Sequence, residues 1–174
     1  MENKIEYLDL VDENDNIIWL MSRDEIYEEW LNNFRTINCF IVNSEWKLWI
    51  PRRNENKKLF PNGLDFSCWW HVEAWDWYLR TLRKEIGEEL NIDLADFDYK
   101  ILWRCNPSND KVSSFMEIYE INSNEVPNYN TDDFSDYEWL TPDELNNKII
   151  NWENVKSDLP KILNKYYLNE NKWD

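Results

Sequence analysis

Short apolar runs separated by polar turns occupy most of the chain, and their lengths are those of β-strands. Such runs predict strands at 5–11, 17–21, 35–42, 47–51, 99–104 and 113–121. The runs at 35–42 and 47–51 flank a short polar turn, so they predict a central hairpin. Polar stretches at 52–65 and 122–134 predict surface loops.

Three other segments have the residue spacing of helices. Ser22 and Glu25 have the spacing of a capping box and predict a short helix that ends near Glu29. At 77–90, apolar residues recur three or four positions apart and predict an amphipathic helix. Its apolar stripe consists of Leu79, Leu82, Ile86 and Leu90. The residues of a similar stripe, which predicts a C-terminal helix, are Leu159, Ile162, Leu163, Tyr166 and Tyr167.

This mixture of strands and helices predicts an α/β or α+β fold, with helices packed against a mixed sheet. The length of 174 residues is that of a single domain, and 43% hydrophobic residues are enough for a core. We expect residues 1–174 to form one domain with its core at about 33–165. Residues 1–32 would add a strand pair and a short helix.

The predicted helix at 77–90 carries three glutamates on one face. Glu85, Glu88 and Glu89 are spaced i, i+3 and i+4, so a helix places them side by side. Like charges repel, and a divalent cation relieves this repulsion. Mg²⁺ prefers carboxylate oxygens and binds through a few of them together with substrate phosphates. The alternative is a merely solvated acidic face, and spacing alone leaves both open.

The charge, the lack of long apolar runs and the cysteines indicate which partners and which cellular location to expect. The chain has 35 acidic and 19 basic residues, so its net charge is −16. Stable nucleic-acid binding is not expected, because such binding relies on Lys and Arg contacts with phosphates. The pattern predicts no signal peptide and no membrane span. Three widely spaced cysteines, Cys39, Cys68 and Cys105, form neither a disulfide framework nor a zinc spacing, which predicts a reducing cytoplasm.

The segment 70–92 resembles the signature of the Nudix hydrolases. That signature reads Gly, five residues, Glu, seven residues, Arg-Glu, an aliphatic residue, any residue, Glu-Glu, any residue, Gly and an aliphatic residue. The positions that match outright are Glu85, Ile86, Glu88, Glu89 and Ile92. Asp76 stands at the first Glu of the signature, Lys84 at its Arg and Asn91 at its last Gly.

The resemblance extends beyond this segment and covers about 5–165. Residues 60–67 resemble the lead-in of a subfamily related to isopentenyl-diphosphate isomerase. Residues 137–145 resemble the late strand and short helix of many Nudix members. The resemblance implies an α/β/α sandwich that contains a mixed sheet and a loop-helix-loop catalytic motif.

The resemblance also implies a function, which is metal-dependent hydrolysis of the diphosphate linkage in a small organic substrate of nucleoside type. The implied cofactor is Mg²⁺ or Mn²⁺, which neutralises phosphate oxygens and assists the attack of water. Glu85, Glu88 and Glu89 would be the metal ligands and catalytic carboxylates. Lys84 would orient one of them through a salt bridge, although lysine lacks the bidentate fork of the family's arginine. A homodimer is compatible with the family.

Four further residues are candidates for the site. Asp133 lies six residues before Trp139, where many relatives have another metal-binding Glu; the alternative is a solvated acidic loop. Arg52 and Arg53 either contact substrate phosphate or are exposed charges at a strand end. His71, the only histidine, follows the position of the family's Gly pair and either binds substrate or has a hydrogen-bonded structural role.

The tryptophan and glycine contents are abnormal for a chain of this kind. There are 12 Trp and 2 Gly, whereas ordinary usage of about 7% would give about 12 Gly. The tryptophans that stand where a turn or the Nudix signature favours glycine are Trp19, Trp30, Trp46, Trp69, Trp70, Trp75 and Trp77. We hypothesise that the source reads the codon UGA as glycine. The alternative is a genuine Trp-rich binding surface.

Two other functions compete with the hydrolase. A non-catalytic binding module with the Nudix fold is favoured by the departures at Asp76 and Lys84, and opposed by the intact glutamates. Isopentenyl-diphosphate isomerase uses several His ligands and a catalytic Cys beside the first His. This chain has one His, and Cys68 lies three residues before it. The sequence therefore favours the hydrolase.

Overall fold

The computed structural model describes residues 5–168, in which eight strands and five helices follow one another. The strands are β1 (Tyr7–Val11), β2 (Ile17–Ser22), β3 (Arg35–Val42), β4 (Leu48–Arg53), β5 (Cys68–His71), β6 (Tyr99–Cys105), β7 (Phe115–Asn122) and β8 (Phe134–Leu140). The helices are α1 (Arg23–Glu28), α2 (Tyr78–Leu90), α3 (Pro107–Asp110), α4 (Pro142–Ile150) and α5 (Leu159–Leu163). The expected ends of the domain, 1–4 and 169–174, lie outside the described residues.

The centre of the main sheet is β3. Strand β7 runs parallel to it along its whole length, from Arg35 opposite Phe115 to Val42 opposite Asn122. Strands β4 and β5 pair with β3 in antiparallel fashion, as β8 does with β4 and β6 with β7. The order is therefore β6-β7-β3-β4-β8, with β5 beside the first half of β3. All eight side chains of β3 are buried, as expected for a strand covered on both faces.

Helices cover both faces of this sheet. On one face, Ile37 and Ile41 of β3 pack in a cluster with the apolar stripe of α2, which includes Leu82 and Ile86. On the other face, Phe40 of β3 belongs to a cluster formed with α4 and α5. Each fully buried aliphatic side chain contributes about 1.5–3 kcal/mol. The predicted α/β/α sandwich with a mixed sheet is confirmed.

The N-terminal strand pair and α1 form a small separate layer. Leu8, Leu10, Ile26 and Phe34 make its apolar cluster. The capping box is present, because the side chain of Ser22 accepts from Glu25 and the side chain of Glu25 accepts from Ser22. Within residues 5–168, every helix is too short to span a membrane, since the longest is α2 with 13 residues.

Three local features differ from the predicted elements. The four-residue strand β5 was not predicted, because its identity depends on its pairing with β3. The short helix α3 begins after an Asn106 cap and contains no apolar stripe. The predicted C-terminal helix is present, but α5 continues into a π-helical turn at Asn164–Leu168.

Candidate active site

The helix α2 and the loops before and after it form a loop-helix-loop unit. The N–H group of Trp77 donates to the side chain of Asp76 at 2.8 Å, and Arg80 lies 3.5 Å from the same carboxylate. At the other end, Asn91 has a φ of 53°, a left-handed conformation that terminates helices and that Asn tolerates. Asp76 and Asn91, which stand at positions of the signature, therefore lie at the two ends of α2.

The strand β1 holds the loop that precedes α2. The N–H group of Ala74 donates to the carbonyl oxygen of Tyr7 at 2.8 Å. The N–H group of Trp75 donates to the Oδ2 atom of Asp9 at 2.9 Å, and Asp9 is only 3% exposed. The N-terminal layer therefore positions the loop on which the start of α2 depends.

The three glutamates of α2 differ in exposure. Glu85 and Glu89 are 3% and 7% exposed, whereas Glu88 is exposed to solvent. The Nζ atom of Lys84 lies 3.0 Å from a carboxylate oxygen of Glu85 and 3.0 Å from one of Glu73. Burial alone would lower the pKa of Lys84, but the two carboxylates raise it above its ordinary value. A charged lysine therefore orients Glu85, which is the role that the family resemblance implies.

Two cavities open beside α2. The glutamate cavity has a volume of about 500 Å³, and its lining includes Tyr7, Trp70, Glu73, Trp75, Lys84, Glu85 and Glu88. The basic cavity has a volume of about 200 Å³, and its lining includes Arg23, Arg53, Lys57, Lys58, Trp69, Trp70, His71 and Glu89. Trp70 lines both cavities, so its side chain lies at the boundary between Glu85 and Glu88 on one side and Glu89 on the other.

The four predicted metal ligands do not meet at one point. Among residues 5–168, no three His, Cys, Asp or Glu side chains are grouped closely enough to hold a metal ion. Glu89 lines the basic cavity instead, and Asp133 lines neither of the two cavities. Glu85 and Glu88 do line one cavity, and Mg²⁺ binds through one or two carboxylates where phosphates supply further ligands. The residues fit a two-carboxylate site completed by substrate.

Glu89 is the most perturbed carboxyl group of the site. Burial raises the pKa of Glu89 to about 8, with smaller contributions from the charges of Asp133 and Asp65. Its Oε2 atom is buried and has no hydrogen-bond partner among the described residues. Burial therefore favours the neutral form of Glu89, and a bound cation would have to displace this proton.

Asp133 lies close to Glu89, where the family resemblance places it. The N–H group of Asn130 donates to the carbonyl oxygen of Glu89 at 2.6 Å, which ties the preceding loop to the end of α2. The N–H group of Asp133 in turn donates to Asn130 at 3.0 Å. The carboxylate of Asp133 forms an ion pair with Lys57. In this arrangement Asp133 neutralises a cation of the basic cavity.

The two candidate arginines point to different places. Arg53 lines the basic cavity and lies 2.5 Å from Asp65. Arg52 lies in neither cavity, and it forms ion pairs with Glu153 at 2.8 Å and Glu138 at 3.8 Å. The structure therefore brings Arg53, but not Arg52, to the predicted site.

The single histidine combines a place in the basic cavity with a structural contact. The Nε2 atom of His71 lies 3.0 Å from the hydroxyl group of Tyr27 and so links β5 to α1. Burial, and after it the charge of Arg23, lowers the pKa of His71 well below its ordinary value. The imidazole is therefore neutral at physiological pH.

Sequence reasoning missed four cations near the site. Arg23, Lys57 and Lys58 line the basic cavity. Lys156 is 4% exposed, and its Nζ atom lies 3.1 Å from the centroid of a Trp69 ring. The pair Lys57-Lys58 was visible as consecutive charges in a predicted loop. No sequence pattern indicated Arg23 or Lys156, because distant elements bring them to the site.

Known relatives agree with this fold. No protein-family model matches the chain. The chain is 44% identical to an uncharacterized Nudix hydrolase of Nostoc sp., over 97% of its own length and 100% of that protein. It is 38% identical to a Nudix hydrolase of Deinococcus radiodurans, over 95% and 96% of the two chains. The crystal structure of DR0079 from Deinococcus radiodurans matches with a TM-score of 0.88 and 37% identity, over 93% and 99%.

A chain with this sandwich, with a glutamate-bearing helix between two loops, has the architecture of a phosphate-anhydride hydrolase. Its near full-length similarity to two named relatives shows that it belongs to the Nudix hydrolase family. The resemblance found in segment 70–92 is therefore confirmed.

Proposed function

We propose that this protein hydrolyses the diphosphate linkage of a small organic substrate of nucleoside type, and that hydrolysis requires Mg²⁺ or Mn²⁺. The observation that carries the proposal is the pair Glu85 and Glu88 on the wall of the glutamate cavity, beside Lys84. The volume of about 500 Å³ lies in the range of small-molecule sites. Aromatic side chains in the lining, Tyr7 and Trp70, offer faces on which a base can stack.

Each residue of the glutamate cavity has a separate role in the proposed binding. Lys84 holds the buried Glu85 in place through the 3.0 Å ion pair, and Glu88 offers an exposed carboxylate to the cavity. A divalent cation, when bound, would neutralise phosphate oxygens and so reduce their repulsion of an attacking water. Glu73, which is also paired with Lys84, links this set to the loop that β1 holds.

A non-catalytic binding module is the second candidate, and one observation favours it. The side chain of Trp70 lies between the two groups of carboxylates, so the chain with Trp at 70 does not assemble them. The isomerase has less support. Cys68 is fully buried, and burial raises the pKa of its thiol well above the ordinary value, which makes it a poor nucleophile.

The experiment is hydrolysis of a diphosphate panel with and without Mg²⁺ or Mn²⁺. Two versions of the chain are compared, one with the tryptophans and one with Gly at 19, 30, 46, 69, 70, 75 and 77. Turnover that needs the cation and falls at least about 100-fold in Glu88→Gln would support the proposal. Glu13→Gln, an exposed glutamate of the N-terminal turn, is the control and should have full activity. Cation binding without turnover in either folded version would favour the binding module.

A further inference from the structure

The basic cavity is an exception in a protein with a net charge of −16. Four cationic side chains line a volume of only about 200 Å³, and they are Arg23, Arg53, Lys57 and Lys58. They come from α1, from the end of β4 and from the loop that follows it. Like charges held together in this way repel, and a bound anion relieves that repulsion.

The ion pairs of these cations leave donors available to a ligand. Arg23 uses its Nη1 atom to pair with Glu6 at 2.9 Å. Arg53 uses Nη1 for Asp65 and Nε for a carbonyl group, which leaves part of its five-donor guanidinium for other partners. Lys58 forms no ion pair with any residue in 5–168. The three carboxylate partners, Glu6, Asp65 and Asp133, are not part of the cavity lining, in which Glu89 is the one acidic residue.

A further cation stands behind the wall of the basic cavity. The Nζ atom of Lys156 is buried, has no hydrogen-bond partner in the described part of the chain, and packs against the ring of Trp69. Trp69 is itself part of the cavity lining. A buried ammonium group without a hydrogen bond is costly, because it has lost its hydration, and the Trp69 ring and the Asp65 carboxylate at 3.9 Å offset part of that loss. The field of this group adds to the positive potential inside the cavity.

The two cavities differ in size in a way that restricts what each can hold. Small-molecule sites commonly have volumes of about 300–1,000 Å³. The glutamate cavity falls in this range, whereas the basic cavity, at about 200 Å³, is too small for a nucleoside and large enough for a phosphoryl group. Because Trp70 lines both, the cavities are neighbours.

We propose that the basic cavity binds the terminal phosphoryl group of the substrate. This inference rests on the proposed function and narrows it. The substrate class is then an organic di- or triphosphate that ends in a free phosphate group. Dinucleotides and nucleotide sugars, which carry an organic group at both ends of the diphosphate, do not fit. Arg23 and Lys58 become specificity-determining residues supplied by elements outside the segment 70–92.

Direct binding of inorganic phosphate, measured by titration calorimetry without added metal, tests the cavity itself. Lys58→Met and Arg23→Met should each weaken phosphate binding by about tenfold, the effect of losing one charged hydrogen bond. Lys47→Met is the matched control. Lys47 is a half-buried lysine of the β3–β4 turn that pairs with Glu45, so this change alters net charge equally without touching the cavity. Equal phosphate affinity in all variants would overturn the inference.

A kinetic comparison separates this inference from the proposed function. The substrates are a nucleoside triphosphate and the same compound with a methyl ester on its terminal phosphate. The ratio of kcat/KM for the free to the capped substrate should fall by about tenfold in Lys58→Met, mainly through KM. Turnover with an unchanged ratio would overturn the phosphate subsite and keep the hydrolase. Variant-sensitive phosphate binding with no turnover of any substrate would support the subsite and overturn the proposed function alone.

Discussion

Four tryptophans have a backbone conformation that glycine adopts at little cost. The φ angles are 55° at Trp30, 59° at Trp46, 62° at Trp75 and 68° at Trp152. In an L-residue the left-handed region costs about 1–2 kcal/mol. Packing does not offset this cost, because exposure ranges from 72% at Trp46 to 94% at Trp152. These angles support the hypothesis that UGA codons in the source specify glycine, and they extend it to position 152.

The other tryptophans in that hypothesis have ordinary backbone angles. Trp19 lies in β2, Trp69 and Trp70 lie in β5, and Trp77 has a φ of −123°. For these four positions the case for glycine rests on the Nudix signature or on a turn-like context. Trp49, by contrast, is fully buried among Tyr129, Phe134 and Tyr137, as its place in a strand predicted.

Substitution of Trp152 by glycine should therefore stabilise the protein. We expect Trp152→Gly to raise the free energy of unfolding by about 1 kcal/mol, because it removes left-handed strain and loses almost no packing. Trp19→Gly is the control, since an exposed strand position should lose about 0.5–1 kcal/mol. Urea unfolding of both variants measures the difference. A destabilised Trp152→Gly protein would mean that position 152 has no preference for glycine.

The buried Lys156 predicts a dependence of stability on pH. Burial lowers the pKa of Lys156 from 10.5 to about 8, against the smaller opposing effect of Asp65. Below pH 8 both folded and unfolded states carry the proton, and the cost of burying the charge is fully present. Between pH 8 and 10.5 the folded state loses the proton first. The unfolded state then binds more protons, so stability rises with pH.

Lys156→Met should remove this rise. Since one pKa unit corresponds to about 1.4 kcal/mol, the contribution of Lys156 between pH 8 and 10.5 is at most about 3 kcal/mol. At pH 7 the Met variant should be more stable than the parent, because it keeps the apolar stem and removes a buried charge. Chemical denaturation from pH 7 to 10.5 tests both points, with Lys47→Met as the control. An identical pH slope in parent and Lys156→Met would contradict the assignment.

At the scale of elements, the order of strands and helices follows from local patterns, whereas the site follows from contacts between distant elements. The stripe Leu79, Leu82, Ile86 and Leu90 predicted α2 to within one residue of its observed start, because helix periodicity is a local property. The strand β5 was missed, since its identity depends on pairing with β3. Residues of α1, β4 and β5 line the basic cavity, and no local sequence pattern predicts that these elements meet.

The contact between β1 and the loop before α2 is a second junction of this kind. Asp9, which is buried, accepts the N–H group of the exposed Trp75 at 2.9 Å. Asp9→Ala should lower the free energy of unfolding by about 1–3 kcal/mol, because the loop loses a hydrogen bond to a charged acceptor. It should also reduce kcat, since the start of α2 is positioned by this loop. Glu13→Ala, at an exposed position of the next turn, is the control. Wild-type stability in Asp9→Ala would show that the loop is held by other contacts.

At the scale of the whole molecule, acidic and basic side chains line two different cavities beside Trp70. Glu85 and Glu88 line one of the two cavities beside Trp70, and four cationic side chains line the other. A phosphorylated substrate with its cation needs both kinds of surface, because the phosphate chain carries charges that neither alone can neutralise. Because Trp70 lines both cavities, we predict that its identity decides whether Glu89 can join Glu85 and Glu88.

Thermal unfolding in Mg²⁺ tests that role of Trp70 for the whole molecule. Trp70→Gly should join the two cavities and let all three glutamates contact one cation. A cation that binds only the folded state stabilises it by about 2.7 kcal/mol at 100 times its Kd. In a chain of this size each kcal/mol raises the Tm by about 2–4 °C. Trp70→Gly should therefore show a larger Mg²⁺-dependent rise in Tm than the chain with Trp.

Two control variants test whether the Mg²⁺-dependent rise in Tm depends on the carboxylates. Adding Glu88→Gln to Trp70→Gly should abolish most of the Mg²⁺ effect, because an exposed ligand is lost without a change in the core. Trp19→Gly, at an exposed position of β2 that lines neither cavity, should respond to Mg²⁺ as the parent does. If the parent and Trp70→Gly gain the same stability from Mg²⁺, then Trp70 does not divide the site. Glu85 and Glu88 alone would then account for cation binding, and the buried Glu89 would hold its proton throughout.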